Sequence, residues 1–377
     1  MDQSAAELPV APKRPKSRTS RAMETLQLVL DQGGPGFCQF AINNACNANC
    51  GFCNFARDSL PKDQWIYVER QGGLDAISTM YRAGVRYLVF TGGEPTLHPN
   101  LVEFTRHASD LGMKVVLVTN AGLLKPEKIR ILHEAGTSSF IISVDAASEE
   151  LHENNRGLPG VCDKIRAANK VFKERGIHST ASVTASRLVD YEKLQPFLTS
   201  LGFTSVTFSY PVTELGSNFL GYSASELVNQ SREELLADFD KMKAMKSGFQ
   251  VVNPSASLDE MKRHVNGGEQ KFPCLGGYRY FYLDWDLMVW RCHYWEKPMC
   301  HISEFDETKL VRDGCTKCMI DCYRDSSVMQ HAAVSLHDSY QAFKSGRVAD
   351  GFKALGRKGN LGSLGAVMEE LPWLLRF

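Results

Sequence analysis

Five glycines set the first limit on this chain: Gly84, Gly112, Gly136, Gly176 and Gly202 each end a helical segment and stand just before an apolar, β-branched run. Glycine suits the left-handed position that closes a helix, so each one marks a terminus. The apolar runs are Phe37–Asn44, Arg86–Thr91, Lys114–Thr119, Phe140–Asp145, Ser179–Ala185 and Ser205–Tyr210. A strand–helix–glycine–strand rhythm held over six strands predicts parallel βα units with right-handed crossovers. Six units fall short of the eight in a closed barrel. The expected fold class is therefore α/β, an open partial (β/α)6 barrel over residues 36–211, with its reactive groups at the C-terminal ends of the strands.

The chain has 377 residues, and Lys+Arg and Asp+Glu are both 43, so net charge gives no global attraction to nucleic acid or anionic lipid. No apolar run reaches the length of a membrane span, and the N-terminus lacks a signal-peptide core. Eleven cysteines, odd in number and mostly in two groups, fit metal ligation in a reducing cytosol better than a disulfide framework. A cytoplasmic location is expected. Residues 1–22 read as a disordered basic tail carrying Lys13, Arg14, Lys16, Arg18 and Arg21. After residue 211 the rhythm stops. Residues 212–272 read as a helical connector whose helix starts near Ser231, residues 273–327 as a small cysteine-rich domain, and residues 328–377 as two C-terminal helices, roughly 329–356 and 361–376.

The first cysteine group follows the first strand: Cys46, Cys50 and Cys53, spaced C-x3-C-x2-C. Three thiolates on one loop can hold three irons of a [4Fe–4S] cube and leave the fourth open to a small molecule. The second strand ends in Thr91-Gly92-Gly93-Glu94-Pro95, where paired glycines expose main-chain groups to a ligand and a carboxylate suits a cationic amine. The fourth ends in Ser143-Val144-Asp145, two polar side chains on one strand face, suited to ribose hydroxyls; Arg156 follows and can meet a carboxylate. An open iron with sites for amine, ribose and carboxylate describes S-adenosylmethionine (SAM). Asn120, Thr184, Ser209 and Tyr210, at the ends of later strands, are expected to face a substrate cavity.

On these elements the chain resembles the radical SAM superfamily over about residues 36–211. The resemblance implies that Cys46, Cys50 and Cys53 bind the cluster, that Phe52 lies near adenine, and that Gly92, Gly93 and Glu94 lie near the methionine amine. Ser143, Asp145 and Arg156 complete the implied site. The implied chemistry is reductive cleavage of SAM to a 5′-deoxyadenosyl radical, which abstracts hydrogen from, or adds to, a substrate. It also implies an electron donor such as flavodoxin or ferredoxin. A zinc site or plain cysteine packing is the bland alternative for the loop.

Cys274 and Cys292 flank a hairpin read at Tyr278–Leu283 and Met288–Arg291; Cys300, Cys315, Cys318 and Cys322 follow. This arrangement resembles the auxiliary-cluster domain called twitch, a shortened relative of SPASM. It implies a second [4Fe–4S] cluster on Cys274, Cys292, Cys315 and Cys318, with Cys322 or Cys300 able to replace one. Leu287 departs from the glycine common in that hairpin, and a structural zinc is the alternative. Cys38 and Cys162 read as core thiols. The run Cys315–Tyr323 is also similar to a segment of the hopanoid-biosynthesis enzyme that makes adenosylhopane, which tilts the substrate toward an apolar molecule.

Near the C-terminus, Leu361, Leu364, Val367, Met368, Leu371 and Leu375 share one helix face. A face packed on the core is expected, with a peripheral membrane contact as the alternative. The stretch before the first strand reads as too short for a cobalamin-binding or leader-peptide-binding domain, and no basic RNA-binding face is evident. The expected function is a radical SAM enzyme acting on a small molecule or lipid. The alternatives are a maturase of a ribosomally made peptide and a non-catalytic iron–sulfur or zinc scaffold.

Overall fold

The computed structural model describes residues 18–210, 215–219, 221 and 225–374, with side chains for all of these except 18–22 and 374. Lys13, Arg14, Lys16, Pro211 and Leu375 lie outside the described residues. Arg18 and Arg21, expected in the tail, belong instead to a helix, α1 (Arg18–Gln32).

Strands β1 (Gly36–Asn43), β2 (Val85–Gly92), β3 (Lys114–Thr119), β4 (Thr137–Ser143), β5 (His178–Thr184) and β6 (Ser205–Ser209) stand side by side in chain order, each neighbouring pair parallel. Between them run α2 (Arg70–Arg82), α3 (Leu101–Leu111), α4 (Pro126–Ala135), α5 (Glu149–Arg156), α6 (Val161–Arg175) and α7 (Tyr191–Ser200). The five helix-closing glycines all take positive φ, from 66° at Gly176 to 115° at Gly136. At Gly136 a β-carbon would also lie 2.2 Å from Ser109 Oγ, so only glycine fits this turn. Sheet and helices enclose one apolar core, exemplified by the Phe140 and Phe172 rings of β4 and α6, 4.6 Å apart. Each such ring removed from water contributes roughly 1.5–3 kcal/mol. Cys38 and Cys162 are buried in that core, as expected.

The sheet is wider than six strands. A short β7 (Gln250–Val251) extends it in parallel beyond β6, after α8 (Arg232–Met245), which begins at Ser231 with a complete capping box. On the other edge, β8 (Tyr280–Leu283) pairs in parallel with β1, and β9 (Met288–Trp290) and β10 (Cys300–His301) follow antiparallel. The expected hairpin is present, yet it continues the barrel sheet instead of standing apart. The Phe37 ring stacks against Tyr87 of β2 at 4.5 Å and Tyr280 of β8 at 5.8 Å, an aromatic row across the junction. Periodicity within each strand carries no sign of this pairing between distant segments. Leu287, between β8 and β9, has φ of 59°. It occupies the left-handed turn position that glycine would take without strain.

The remaining helices are α9 (Ser255–Val265), α10 (Asp321–Lys344), α11 (Val348–Leu355) and α12 (Asn360–Leu374). The single helix expected over 329–356 is broken at Ser345-Gly346, where Gly346 has φ of 75°. The expectation that the leucine face of α12 packs on the core is overturned. Ser363, Ala366 and Glu370 are buried, whereas Leu361, Leu364, Met368 and Leu371 are exposed. Polar contacts hold the inner side: Glu370 pairs with Lys246 at 3.0 Å, and Ser363 Oγ donates to the Met329 carbonyl.

The first turns of α10 hold a half-buried acid. Asp325 accepts from Asn253 Nδ2 at 2.8 Å, and burial, with Asp321 adding, pushes its pKa from 3.8 to about 7. A raised carboxyl pKa means that the folded state binds the proton more tightly than the unfolded chain. Its contribution to stability therefore falls as pH rises from about 4 to about 7, by up to about 1.4 kcal/mol per pH unit. Urea unfolding at pH 5 and pH 8 is expected to show a smaller loss of stability for Asp325→Asn than for the wild type.

Candidate active site

Beyond β1 the chain turns into the first cysteine loop. Cys46 is buried, and Cys50 and Cys53 are half-buried. Cys46 Sγ accepts from Ala48 N at 3.4 Å, and Asn120 Nδ2 lies 3.9 Å from it. Two residues of α5 pin the loop from outside: Asn49 N donates to the Arg156 carbonyl at 2.7 Å, and Gly51 N to Asn155 Oδ1 at 3.2 Å. Burial pushes the Cys46 thiol up to about 11, with Glu94 adding to it. Burial pushes Cys50 up to about 12, opposed by Arg156, and Cys53 higher still, reinforced by Cys50 and Cys46. The thiols therefore sense one another, and binding a metal here must displace protons.

The end of β2 holds this loop in place. A β-carbon on Gly92 would lie 2.1 Å from the Asn43 carbonyl, and one on Gly93 2.1 Å from that of Ala45. The paired glycines therefore permit close approach of β2 to the start of the cysteine loop, a use not apparent from the sequence. Glu94 is buried and accepts at Oε1 from Thr96 N and Oγ1 and from Thr119 Oγ1, and at Oε2 from Asn120 N. Only Oε2 keeps room for a further donor.

At the end of β4, Asp145 is buried and bound to Arg156 Nη2 at 2.5 Å and to Asn155 Nδ2 at 2.8 Å. The Asp145 main-chain N donates to His152 Nδ1 at 3.1 Å, and burial keeps that imidazole neutral with a pKa of about 4. Burial opposes the charge on Arg156, but Asp145 and the Cys50 and Cys46 thiols more than offset it. Its Nε is buried without a partner. Asn155 and His152 were not singled out in the sequence; a polar helix after a strand gives no sign that its last turn reaches back to another loop.

These elements surround a cavity of about 190 Å³ at the C-terminal ends of the strands. Its wall includes Cys46, Cys50, Cys53 and Phe52, with Gly92 at the end of β2, Gly93 and Glu94 just after it, Ser143 at the end of β4 and Arg156 from α5. Asn120, Thr184 and Ser209 line it as expected. Asp145 does not line it but stands behind Arg156, and Tyr210 packs against Phe239 at 5.8 Å. The donor set fits an iron–sulfur cluster beside a zwitterionic ligand: three thiols line the cavity with Arg156, whose Nε is buried without a partner, Glu94, which keeps one oxygen position free, and the hydroxyls of Ser143, Ser182, Thr184 and Ser209.

The second cysteine group gathers at the foot of the hairpin. Cys274, Cys292, Cys318 and Cys322 pack with Tyr280 and Tyr323, and Cys274 N donates to the Cys315 carbonyl at 2.8 Å. Burial pushes Cys292 up to about 12 and Cys318 to about 11; each also feels Cys274, and Cys318 feels Cys315. Cys322 is turned toward the Tyr280 hydroxyl, while Cys300 lies in the main core beside Lys309 and Glu304. Among the described residues, the one set of three His, Cys, Asp or Glu ligand atoms within 4.8 Å of one another is Glu149, Glu153 and Cys162. Glu153 there already accepts from Gly160 N and Cys162 N, and Glu149 pairs with Arg166, which accounts for the set as a braced turn. Neither cysteine group is drawn that tightly about one point, and thiols on separate corners of a cube need the wider spacing.

Residues 40–198 match the model of the radical SAM superfamily. The AdoMet-dependent heme synthase of Methanosarcina barkeri is 31% identical over 154 residues, 41% of this chain and 43% of that protein. The PqqA peptide cyclase of Rhodopseudomonas palustris is 30% identical over 125 residues, 32% of this chain and 31% of that one. The chain thus spans less than half the length of these curated relatives. Among solved structures, native anSMEcpe with bound AdoMet aligns with a TM-score of 0.54 and 15% identity, covering 90% of this chain and 98% of that one. Streptococcus suis SuiB bound to precursor peptide SuiA aligns at 0.56 and 13%, covering 83% and 74%. These likenesses show a shared fold. With the matched segment running from β1 to α7 and the three loop thiols inside it, residues 40–198 of this chain form a radical SAM domain.

Proposed function

We propose that this chain is an enzyme that cleaves SAM reductively at a [4Fe–4S] cluster held by Cys46, Cys50 and Cys53, and acts on a small-molecule or lipid substrate. The observation carrying this reading is the single cavity that three loop thiols share with Phe52, the β2 Gly-Gly-Glu end, Ser143 and Arg156. When bound, the cluster supplies the electron that breaks the sulfonium bond, and the cofactor carries the radical chemistry. The chain's own residues orient and shield. Glu94 locks β2 to β3 and offers its free Oε2 position to an amine. Arg156, clamped by Asp145 and carrying an unpartnered Nε–H, would bind an anionic group of the cofactors. Asn120 and Ala48 N set the hydrogen bonding at Cys46, which would tune the potential of a bound cluster. Ser182, Thr184 and Ser209 carry the wall toward β6, where a substrate would meet the domain.

Cys274, Cys292, Cys315 and Cys318 are proposed to hold a second [4Fe–4S] cluster, because the Cys292 and Cys318 thiols both feel Cys274, Cys318 also feels Cys315, and Cys300 stands apart in the main core. Cys315 lines an open cavity of about 550 Å³ with Tyr294, Trp295, Lys297 and Lys317, a route for electrons from a flavodoxin or ferredoxin. Anaerobically reconstituted protein is expected to hold about eight irons, falling to about four in Cys292→Ala and unchanged in Cys300→Ala. An iron content near four in the wild type removes the second cluster.

A peptide substrate is the second reading, favoured by the 30% identity to a PqqA peptide cyclase. The test of function is anaerobic incubation with dithionite and SAM, read as 5′-deoxyadenosine formed. Turnover is expected, and its absence from iron-loaded protein overturns the enzyme reading. Stimulation by a peptide encoded beside the chain would shift the substrate from small molecule or lipid to peptide.

A further inference from the structure

Helices α11 and α12 turn their apolar sides outward. Val348, Phe352 and Leu355 recur at helical spacing on α11 and are 55%, 65% and 46% exposed. Leu361, Leu364, Met368 and Leu371 form one stripe on α12, exposed by 86%, 52%, 74% and 45%. Scattered apolar residues on a surface need no explanation, but seven on two consecutive helices do. Packing does not account for them, since α12 is fastened through Ser363, Ala366 and Glu370 on its other side.

The unpaired charges around these stripes are of one sign. Lys344, Lys353 and Lys358 are exposed, and among the described residues no ion pair engages them. The acidic groups are occupied: Asp350 lies 3.6 Å from Arg347, while Glu369 and Glu370 are drawn inward to Lys246. No described helix is long and apolar enough to cross a membrane.

We propose that α11 and α12 form a docking surface for an anionic lipid bilayer, lying on it with the leucine stripes in the acyl boundary and the free lysines at the headgroups. This combination of leucine, phenylalanine and unpaired lysine suits an interfacial helix, and each lysine near an anionic surface adds to the binding. A second copy of the chain fits less well, because it would set unpaired lysines against unpaired lysines. The inference is independent of what the cavity catalyses.

The test is sedimentation of the full chain with vesicles of phosphatidylglycerol and phosphatidylcholine in equal parts, against phosphatidylcholine alone. The wild type is expected to pellet with the anionic vesicles, and less so as salt rises. Leu361→Gln/Leu364→Gln/Met368→Gln and Lys344→Glu/Lys353→Glu/Lys358→Glu are each expected to weaken binding by at least about tenfold. All six positions are exposed, so iron content and circular dichroism should match the wild type in both. Wild type that stays in solution, or binding that both variants retain, overturns the proposal. So does a wild-type dimer that the Gln variant turns into a monomer, which would assign the surface to a second copy.

Discussion

Cys50→Ala is expected to lower 5′-deoxyadenosine formation by at least about a hundredfold while leaving the protein folded. The cluster reading requires three thiolates from one loop, and alanine leaves two, too few to hold a cube in competition with solvent. The backbone of the loop should survive, because its fastenings do not pass through the Cys50 side chain. They are Asn49 N to the Arg156 carbonyl, Gly51 N to Asn155, and Arg57 N to the Ala48 carbonyl. Cys38→Ala is the matched control, a thiol of β1 that is fully buried in the core and away from the cavity. It should cost some stability and leave turnover per iron unchanged. Equal loss in both variants would mean that the Cys50 effect is one of folding.

Asp145→Ala is expected to destabilise the metal-free protein by about 3–5 kcal/mol in urea unfolding. The Asp145 and Arg156 side chains are only 2% and 9% exposed, and their 2.5 Å contact is, among the described residues, the one ion pair that the Arg156 guanidinium makes. Removing the carboxylate strands a buried cation whose Nε is already without a partner, and also frees Asn155 Nδ2. Arg156→Met in the same background should recover much of the loss, since an apolar side chain of similar length carries no charge to strand. If Asp145 faced a ribose and did little else, its replacement would weaken SAM binding and leave stability near that of the wild type.

The barrel was legible because its signals are local. Each of the five glycines closes its own helix, and strand runs such as Lys114–Thr119 coincide with the observed element. The members of the site were legible for a similar reason: Cys46 to Cys53, Gly92 to Glu94, and Ser143 are each a short motif at a strand end. What those residues do was less so. Gly92 and Gly93 admit the carbonyls of Asn43 and Ala45, and Asp145 clamps Arg156; both roles depend on contacts between segments far apart in the chain. The same limit hid the pairing of β8 with β1 and the grip of Asn155 on the cysteine loop. On α12 the apolar face was read correctly but its direction was not. Periodicity identifies a stripe, while the buried Ser363, Ala366 and Glu370 and their partners on α10 and at Lys246 decide which side turns inward.

The central claim is that the loop cluster presents an open iron to SAM. Low-temperature electron paramagnetic resonance of dithionite-reduced Cys292→Ala protein, where the loop cluster alone should remain, tests it most directly. Addition of SAM is predicted to change the g values of that signal, and Cys50→Ala in the same background is predicted to remove the signal. A reduced cluster whose spectrum is indifferent to saturating SAM, or a signal that survives Cys50→Ala unchanged, would contradict the account.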